Sequence, residues 1–233
     1  MTSFDRPRYY LTAEYPCSYL EGEKARSEVA VPGHFPALFG KLIRSGFRRS
    51  GHFVYRPGCR HCQACVAVRV IVPEFSPDRS QRRCLRRHSG LEIERLDPEF
   101  REEHFELYRR YQRARHPGGG MDEDDEAQYA KSLLQSPVPT SLYAFRQDRR
   151  LMMVSIVDEI PDGLSSVYTF FDPECAGLGT YNILWQIDLC RKRGIPHLYL
   201  GYWIASSRKM AYKINFMPLE GFLEGRWQPL ERK

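Results

Sequence analysis

The sequence predicts an α/β (α+β) fold in which mixed sheets are flanked by helices, and three observations carry that expectation. Residues 141–173 hold three consecutive strand-like runs, "SLYAFRQ", "RRLMMVSIVDEI" and "GLSSVYTFFDP", joined by short turns of which "PDG" is the clearest. "ECAGLGTYNILWQIDLCRKRGI" then reads as a glycine-containing loop running into an amphipathic helix, and "PHLYLGYWI" returns as a strand. Two helix-period segments precede these strands, so neither an all-β nor an all-α reading fits. At 233 residues, 42% hydrophobic and 27% charged, the chain has material for one large domain or two small ones.

The earlier elements follow in order. "PALFGKLIRSGF" (36–47) sets Leu38, Phe39, Leu42 and Ile43 at helical spacing and stops at Gly46. "GHFVYRP" and "CVAVRVIVP" alternate like strands and flank the run C-x-x-C-x-x-C, so Cys59 and Cys62 fall in the connection between them. "SPDRSQRRCLRRHSG" (76–90) opens on Ser-Pro and ends at a glycine, the signature of a short and very basic helix. "LEIERL" is a further strand, and "DPEFREEHFELYRRYQRARHP" a helix whose Phe100, Phe105, Tyr108 and Tyr111 point to a core. "HPGGG" at 116–120 breaks it, and the acidic "MDEDDE" opens a second helix over "DEDDEAQYAKSLLQ", carboxylates favouring a helix N-terminus. The expected division is an N-terminal module over 1–97, with the cysteine run and basic helix, and a C-terminal module over 98–233.

Charge and cysteine usage narrow the function classes. The net charge is +6, but from Pro36 to Gly90 twelve Lys/Arg face two acids, a local excess of +10 that favours a polyanion such as a phosphate backbone. The five arginines of the basic helix, Arg79, Arg82, Arg83, Arg86 and Arg87, fall on one helical face. No apolar run is long enough to span a bilayer. Seven cysteines, an odd number, behind a start that lacks the form of an export signal predict a reducing compartment, the cytoplasm.

C-x-x-C-x-x-C supplies three soft ligands, Cys59, Cys62 and Cys65, and tetrahedral zinc or an iron–sulfur cluster needs a fourth. Cys17 in "YPCSYL" is the leading candidate, with Cys84 and His61 as alternatives; structural thiols without a metal are the competing reading. A metal there would be structural or regulatory. Separately, a strand ending in "FFDPE", a loop with "GLGT" and a helix N-terminus is the order in which acyl-CoA N-acetyltransferase folds cradle a pyrophosphate. An acetyl-CoA-dependent acetyltransferase and a non-catalytic nucleic-acid-binding module with a metal knuckle both remain open on these residues.

Four stretches carry a closer resemblance. "YYLTAEYPCSYL" (9–20), "RSGFRRSGHFVYRPGCRHCQACVAVRV" (44–70), "SVYTFFDPECAGLGTYNILWQIDLC" (166–190), and "YLGYWI" followed by "KMAYKINFMPLEGF" (199–222) resemble the bacterial branch of the aminoacyl-tRNA–protein transferases, the aspartate/glutamate leucyltransferases, in family order over nearly the whole chain. The resemblance implies two N-acetyltransferase-like (GNAT-like) modules. It also implies transfer of an amino acid, leucine in that branch or arginine in the other, from aminoacyl-tRNA to the α-amine of proteins beginning with Asp or Glu, which marks them for degradation.

That chemistry needs no cofactor, because the ester is already activated. It asks for a proton acceptor, an oxyanion donor and a cation for the acceptor carboxylate. Asp172, at the end of the "YTFFDP" strand, is the candidate for the proton, through Tyr168 or a water, with a turn-forming Asp before Pro173 as the competing reading; Tyr202, Tyr212 and Trp203 are candidate walls of the site, with a core role the competing reading for Trp203. Arg208, Lys209 and Lys213 are expected to hold the carboxylate, Lys209 and Lys213 sharing a helix face, with Arg69, Arg56 and Arg48 as competitors. Gly177 and Gly179 would admit the tRNA 3′ end to backbone N–H groups, and the five arginines of 79–87 would contact the tRNA body.

Overall fold

The computed structural model describes residues 7–31, 36–118 and 121–231; Gly119 and Gly120, part of the expected helix break, lie outside the described residues. The chain begins with short strands β1 (Arg8–Leu11), β2 (Tyr15–Pro16), β3 (Lys24–Ala25) and β4 (Ser27–Val31), followed by helix α1 (Pro36–Arg44) and strands β5 (Arg48–Ser50) and β6 (Phe53–Pro57). An antiparallel sheet forms in the order β1-β4-β6-β5, with β2 and β3 paired separately. Phe39, Leu42 and Ile43 of α1 bury against Phe47, Val54 and Ile160, which realises the helical stripe read over 36–47.

Strand β7 (Val66–Ile71) leads to helix α2 (Arg79–Arg87). The helix is fixed by a reciprocal cap: the Asp78 carboxylate accepts the Gln81 N–H at 2.8 Å while the Gln81 side chain accepts the Asp78 N–H at 2.9 Å. Strand β8 (Glu92–Leu96) and helix α3 (Glu102–Arg115) follow. The second helix read from the acidic run is only one turn, α4 (Glu126–Tyr129), continued by a π turn over Ala130–Leu134. Asp125 caps it by accepting the Gln128 N–H at 2.7 Å.

Strands β9 (Thr140–Gln147), β10 (Arg150–Ile160) and β11 (Gly163–Phe171), helix α5 (Leu178–Lys192) and strand β12 (His197–Trp203) reproduce the predicted order, and a hairpin of β13 (Leu219–Leu223) and β14 (Arg226–Pro229) closes the chain. These build an eight-stranded mixed sheet in the order β14-β13-β7-β12-β11-β10-β9-β8. Its one face meets α5 and α2 through Tyr143, Phe145, Leu184 and Ile187. Its other face meets α3 through Leu142, Ala144, Phe105 and Tyr108. Burial on both faces explains why β10 is apolar almost throughout. The mixed α/β expectation is met. Strands β7 and β8, from before residue 97, lie in the same sheet as the later strands, β7 between β12 and β13.

Candidate active site

The site is built where two parallel strands part. β11 and β12 pair only over Gly163–Ser165 and His197–Tyr199, yet run on to Phe171 and Trp203. A register shift against β7 between Tyr199 and Gly201 turns β12 away. Arg48 of β5 enters this gap. Its Nη2 donates to the Val167 carbonyl at 2.5 Å. Its side chain lies over Gly201, whose φ is +71°, and a Cβ there would stand 2.9 Å from Nη1. Only glycine meets both requirements at that position.

Tyrosines surround the guanidinium. Tyr19, Tyr55, Tyr202 and Tyr212 all feel its charge, as does Tyr168 from β11. Tyr202 is buried, its hydroxyl within hydrogen-bonding distance of the Gly46 carbonyl (3.0 Å) and the Tyr55 carbonyl (2.9 Å), and burial pushes its phenol well above the usual range. Burial also raises Tyr19, to about 12. Tyr168 accepts a hydrogen bond from Gln112 of α3 at 2.9 Å, and burial raises its phenol too. Tyr212 is 45% exposed and lines the mouth. Lys213 is 3% exposed and donates to the Tyr202 carbonyl at 2.5 Å. Burial, reinforced by Arg48, pushes its ammonium well below the ordinary lysine value. The cluster therefore holds neutral phenols, a lysine driven toward its neutral form, and one permanent cation.

Other expected residues are placed differently. Asp172 is 1% exposed; its carboxylate receives Arg150 and the Glu174 N–H (3.1 Å), while its own N–H donates to the Met152 carbonyl. It closes the turn from β11 into α5, and the tyrosine cluster supplies none of these partners. Arg208 and Lys209 are exposed in the turns before a 3-10 segment over Ala211–Phe216, so Lys209 and the buried Lys213 do not share a helix face. Three residues per turn replace the expected 3.6. Arg56 is taken by Glu28 at 2.5 Å and covers the Phe47 ring. Arg69 is taken by Glu220 at 2.7 Å, donates to the Tyr199 hydroxyl and lies over Trp227. Neither is available to a substrate carboxylate.

Beyond the C-terminal end of β11, Gly177 caps α5 with φ +95°, and a Cβ there would stand 3.2 Å from His88 Nε2. Cys84 and His88 of the α2 region donate to the Gly177 and Ala176 carbonyls, holding the basic helix against the glycine loop. Gly179 packs close to the Phe171 ring. Arg79, Arg82, Arg83, Arg86 and Arg87 are all exposed and form no ion pair among the described residues, whereas Gln81 and His88 are buried beneath them.

Cys17, Cys59, Cys62 and Cys65 line one cleft beside Tyr55 and Tyr202, with Cys59 and Cys62 in the β6–β7 connection as read. Burial and the three neighbouring thiols push Cys65 up to about 11. Among the described residues no three His, Cys, Asp or Glu groups stand as a metal-binding set. The central residue, Arg48, was legible only as one of several competing arginines. The signal is "FRRSG": on a strand, adjacent arginines point to opposite sides. Arg49 is fully buried against Asp158, with Nε to Oδ2 at 2.7 Å, which leaves Arg48 facing the gap.

The profile described as "Arginine-tRNA-protein transferase, C terminus" matches residues 103–223, and "Arginine-tRNA-protein transferase, N terminus" matches residues 15–83. A protein of Thiobacillus denitrificans named aspartate/glutamate leucyltransferase is 54% identical over 98% of this chain and 97% of its own. One of the same name from Nitrosospira multiformis is 53% identical over 96% of this chain and 91% of its own. Among solved structures, the C-terminal domain (DUF2156) of a protein described as a lysylphosphatidylglycerol synthetase, from Agrobacterium fabrum, superposes with a TM-score of 0.51 at 14% identity. It covers 72% of this chain and 59% of that one, a likeness of fold. Both halves of the transferase profile, in order, and near-full-length identity above half place this chain in the arginine-tRNA–protein transferase family.

Proposed function

We propose that the chain transfers leucine from aminoacyl-tRNA to the α-amine of proteins whose first residue is Asp or Glu, in the cytoplasm, marking them for degradation. The observation that carries this is the 54% identity, over 98% of the chain, to a protein named aspartate/glutamate leucyltransferase. The architecture supports it. The arginine face of α2 offers a sequence-blind contact for the tRNA body. It is bonded to the glycine loop at the α5 N-terminus, a setting that suits the phosphates of a 3′ end.

The neutral α-amine attacks the ester carbonyl of the aminoacyl-tRNA; the new C–N bond forms, the C–O bond to the 3′ ribose breaks, and the amine's proton leaves with the ribose hydroxyl. An N-terminal amine has a pKa of about 7.7–8.0, so a sizeable fraction is neutral near pH 7.5. Holding amine and ester together can supply roughly 7–11 kcal/mol of the barrier in favourable cases. In this reading Tyr168 is the oxyanion donor. Gln112 donates to its oxygen, which leaves the phenolic proton to be given, and the raised pKa keeps that proton in place. Asp172 supports the loop that presents Gly177 and Gly179, and its role is positional in this scheme. Arg208 and Lys209, exposed at the mouth beside Tyr212, add positive charge on the approach.

The test is transfer of labelled leucine, and in parallel arginine, from charged tRNA to peptides beginning with Asp, Glu, Lys or Ala. Leucine on the acidic pair alone is expected; arginine would place the chain with the other branch, and no transfer would refute the reading. The four cysteines lining one cleft carry a separate proposal: a zinc ion or iron–sulfur cluster would have to draw them into a common set, in a structural or regulatory role with no step of the transfer passing through it. Elemental analysis and an absorbance scan after anaerobic purification check this, and a metal-free, active protein would refute it.

A further inference from the structure

The cation that distinguishes an acidic first residue from its neutral isostere is not named by any of the comparisons. Resting on the transfer reading above, we propose that Arg48 is that specificity-determining residue, its guanidinium receiving the side-chain carboxylate of an N-terminal Asp or Glu in the gap between β11 and β12.

The other buried or part-buried cations around the site are already committed, and Arg208 and Lys209 lie out in exposed turns. Around the site, Arg49 is committed to Asp158, Arg56 to Glu28, Arg69 to Glu220 and Arg150 to Asp172. Lys213 is buried on a backbone carbonyl and driven toward its neutral form. Arg48 forms no ion pair with any Asp or Glu among the described residues, yet it is half-buried between Val167 of β11 and Gly201 of β12. Its one donated bond among the described residues is to the Val167 carbonyl, and a guanidinium carries five N–H donors in a planar fork. Donors therefore remain for a carboxylate, and a fork matches that group with two parallel bonds.

The surroundings favour an anion. Burial raises the phenols of Tyr19, Tyr202 and Tyr212, which neighbour Arg48, so they stay neutral and offer no competing negative charge. Partial burial lowers the local dielectric, so each charge–charge contact counts for more than in water. The same field acts on the acceptor's other charged group. A protonated α-amine would be repelled by Arg48 and the neutral, nucleophilic amine would not. One fixed cation thus both selects the acidic side chain and favours the reactive form of the amine beside it. Its position is rigid, because β5 is pinned on its other side by the buried Arg49–Asp158 pair and Gly201 is stacked beneath it.

The experiment compares wild type, Arg48→Lys and Arg48→Gln in leucyl transfer to peptides identical except for a first residue of Asp, Asn, Glu or Gln, with tRNA affinity measured alongside. For Arg48→Gln the Asp/Asn and Glu/Gln ratios of kcat/KM are expected to fall by about tenfold to a hundredfold, the span lost with a charge-assisted bond. Arg48→Lys, a cation without the fork, should fall between, and tRNA affinity should hold. Unchanged ratios, or equal loss on the acidic and amide peptides, would overturn the assignment while wild-type transfer stood. Absence of any wild-type transfer would instead sink the transfer reading itself. A measurement on the wild-type protein covers a variant that fails to fold: peptide mapping after phenylglyoxal treatment should show Arg48 protected by Asp-Ala and not by Asn-Ala. Equal modification with either dipeptide would likewise overturn the assignment.

Discussion

Asp158→Ala tests the mechanical basis of the site. Arg49 and Asp158 are both fully buried, joined at 2.7 Å, and each has further partners. Arg49 also donates to the Gln135 carbonyl at 2.9 Å, and Thr140 donates to Asp158 at 2.7 Å. The bond spans 109 residues, tying β5 to β10. Removing the carboxylate leaves a guanidinium in the interior without a counter-charge, a change that costs about 3–5 kcal/mol. Whole-domain stabilities run to about 5–15 kcal/mol, so the loss is a large share of the total. With a urea m-value of about 2–3 kcal/mol/M, the midpoint should drop by roughly 1–2 M. The control is Arg49→Met with Asp158→Leu, which removes both charges and should lie within about 1 kcal/mol of wild type or above it. Equilibrium urea unfolding followed by tryptophan fluorescence reads both. A loss under about 1 kcal/mol for Asp158→Ala would show that the buried guanidinium finds water or another partner, and that β5 is not pinned as described.

Four further outcomes are expected. His104 of α3 is buried with no hydrogen-bond partner among the described residues on either ring nitrogen, and burial holds it at about 4; its unfolded value is about 6.5. Only the unfolded chain takes up that proton between the two values, so stability falls as pH drops from about 6.5 to 4, by about 3 kcal/mol in all, and urea midpoints across that range should slope less in His104→Phe. Arg82→Glu with Arg86→Glu should weaken tRNA binding without unfolding the chain and should flatten its log–log salt dependence by roughly one to two units; unchanged affinity at low salt would remove α2 from the interface. Tyr168→Phe should slow single-turnover transfer by about 10²–10³-fold with tRNA affinity intact, and full activity would exclude it as the oxyanion donor. Asp172→Asn should lower the melting temperature yet keep transfer within about tenfold of wild type, since its carboxylate serves Arg150 and the Glu174 N–H; a larger kinetic loss in folded protein would return it to the proton-transfer role.

What the sequence disclosed were features fixed locally. Helix α2 announced itself through Ser76-Pro77, the five-arginine face and the glycine after it, and β9 to β11 through apolar runs between turn residues. The short strands β1 to β4 and the β13–β14 hairpin carry too few residues for a period to show. The Lys209–Lys213 pairing failed because local spacing predicts a shared face only if the turn type is known, and a 3-10 segment there puts one lysine outside and the other inside. Asp172 matched a reactive carboxylate in type but is consumed by its own turn, as Asp before Pro often is. Arg48 was the least legible. Its partner Val167 lies 119 residues away, and its seat, Gly201, is set by a register shift that no local pattern encodes.

Arg48 and Arg49 are neighbours in sequence and opposites in circumstance, and the contrast bears on which of them serves function. Arg49 has everything a buried guanidinium requires: a carboxylate at 2.7 Å and carbonyls for its remaining donors. Arg48 is drawn into the protein with one carbonyl and no described acid, on a glycine in the left-handed region, between strands that have given up their pairing. Each of those features costs stability: a desolvated charge without a counter-ion, a conformation that excludes side chains, and ladder bonds left unmade. Stability alone would replace Arg48 with an apolar residue and let β11 and β12 continue side by side. A ligand that brings its own carboxylate removes the largest of these costs when it binds, which converts the unpaired charge of Arg48 into affinity for an acidic residue and into discrimination against its amide.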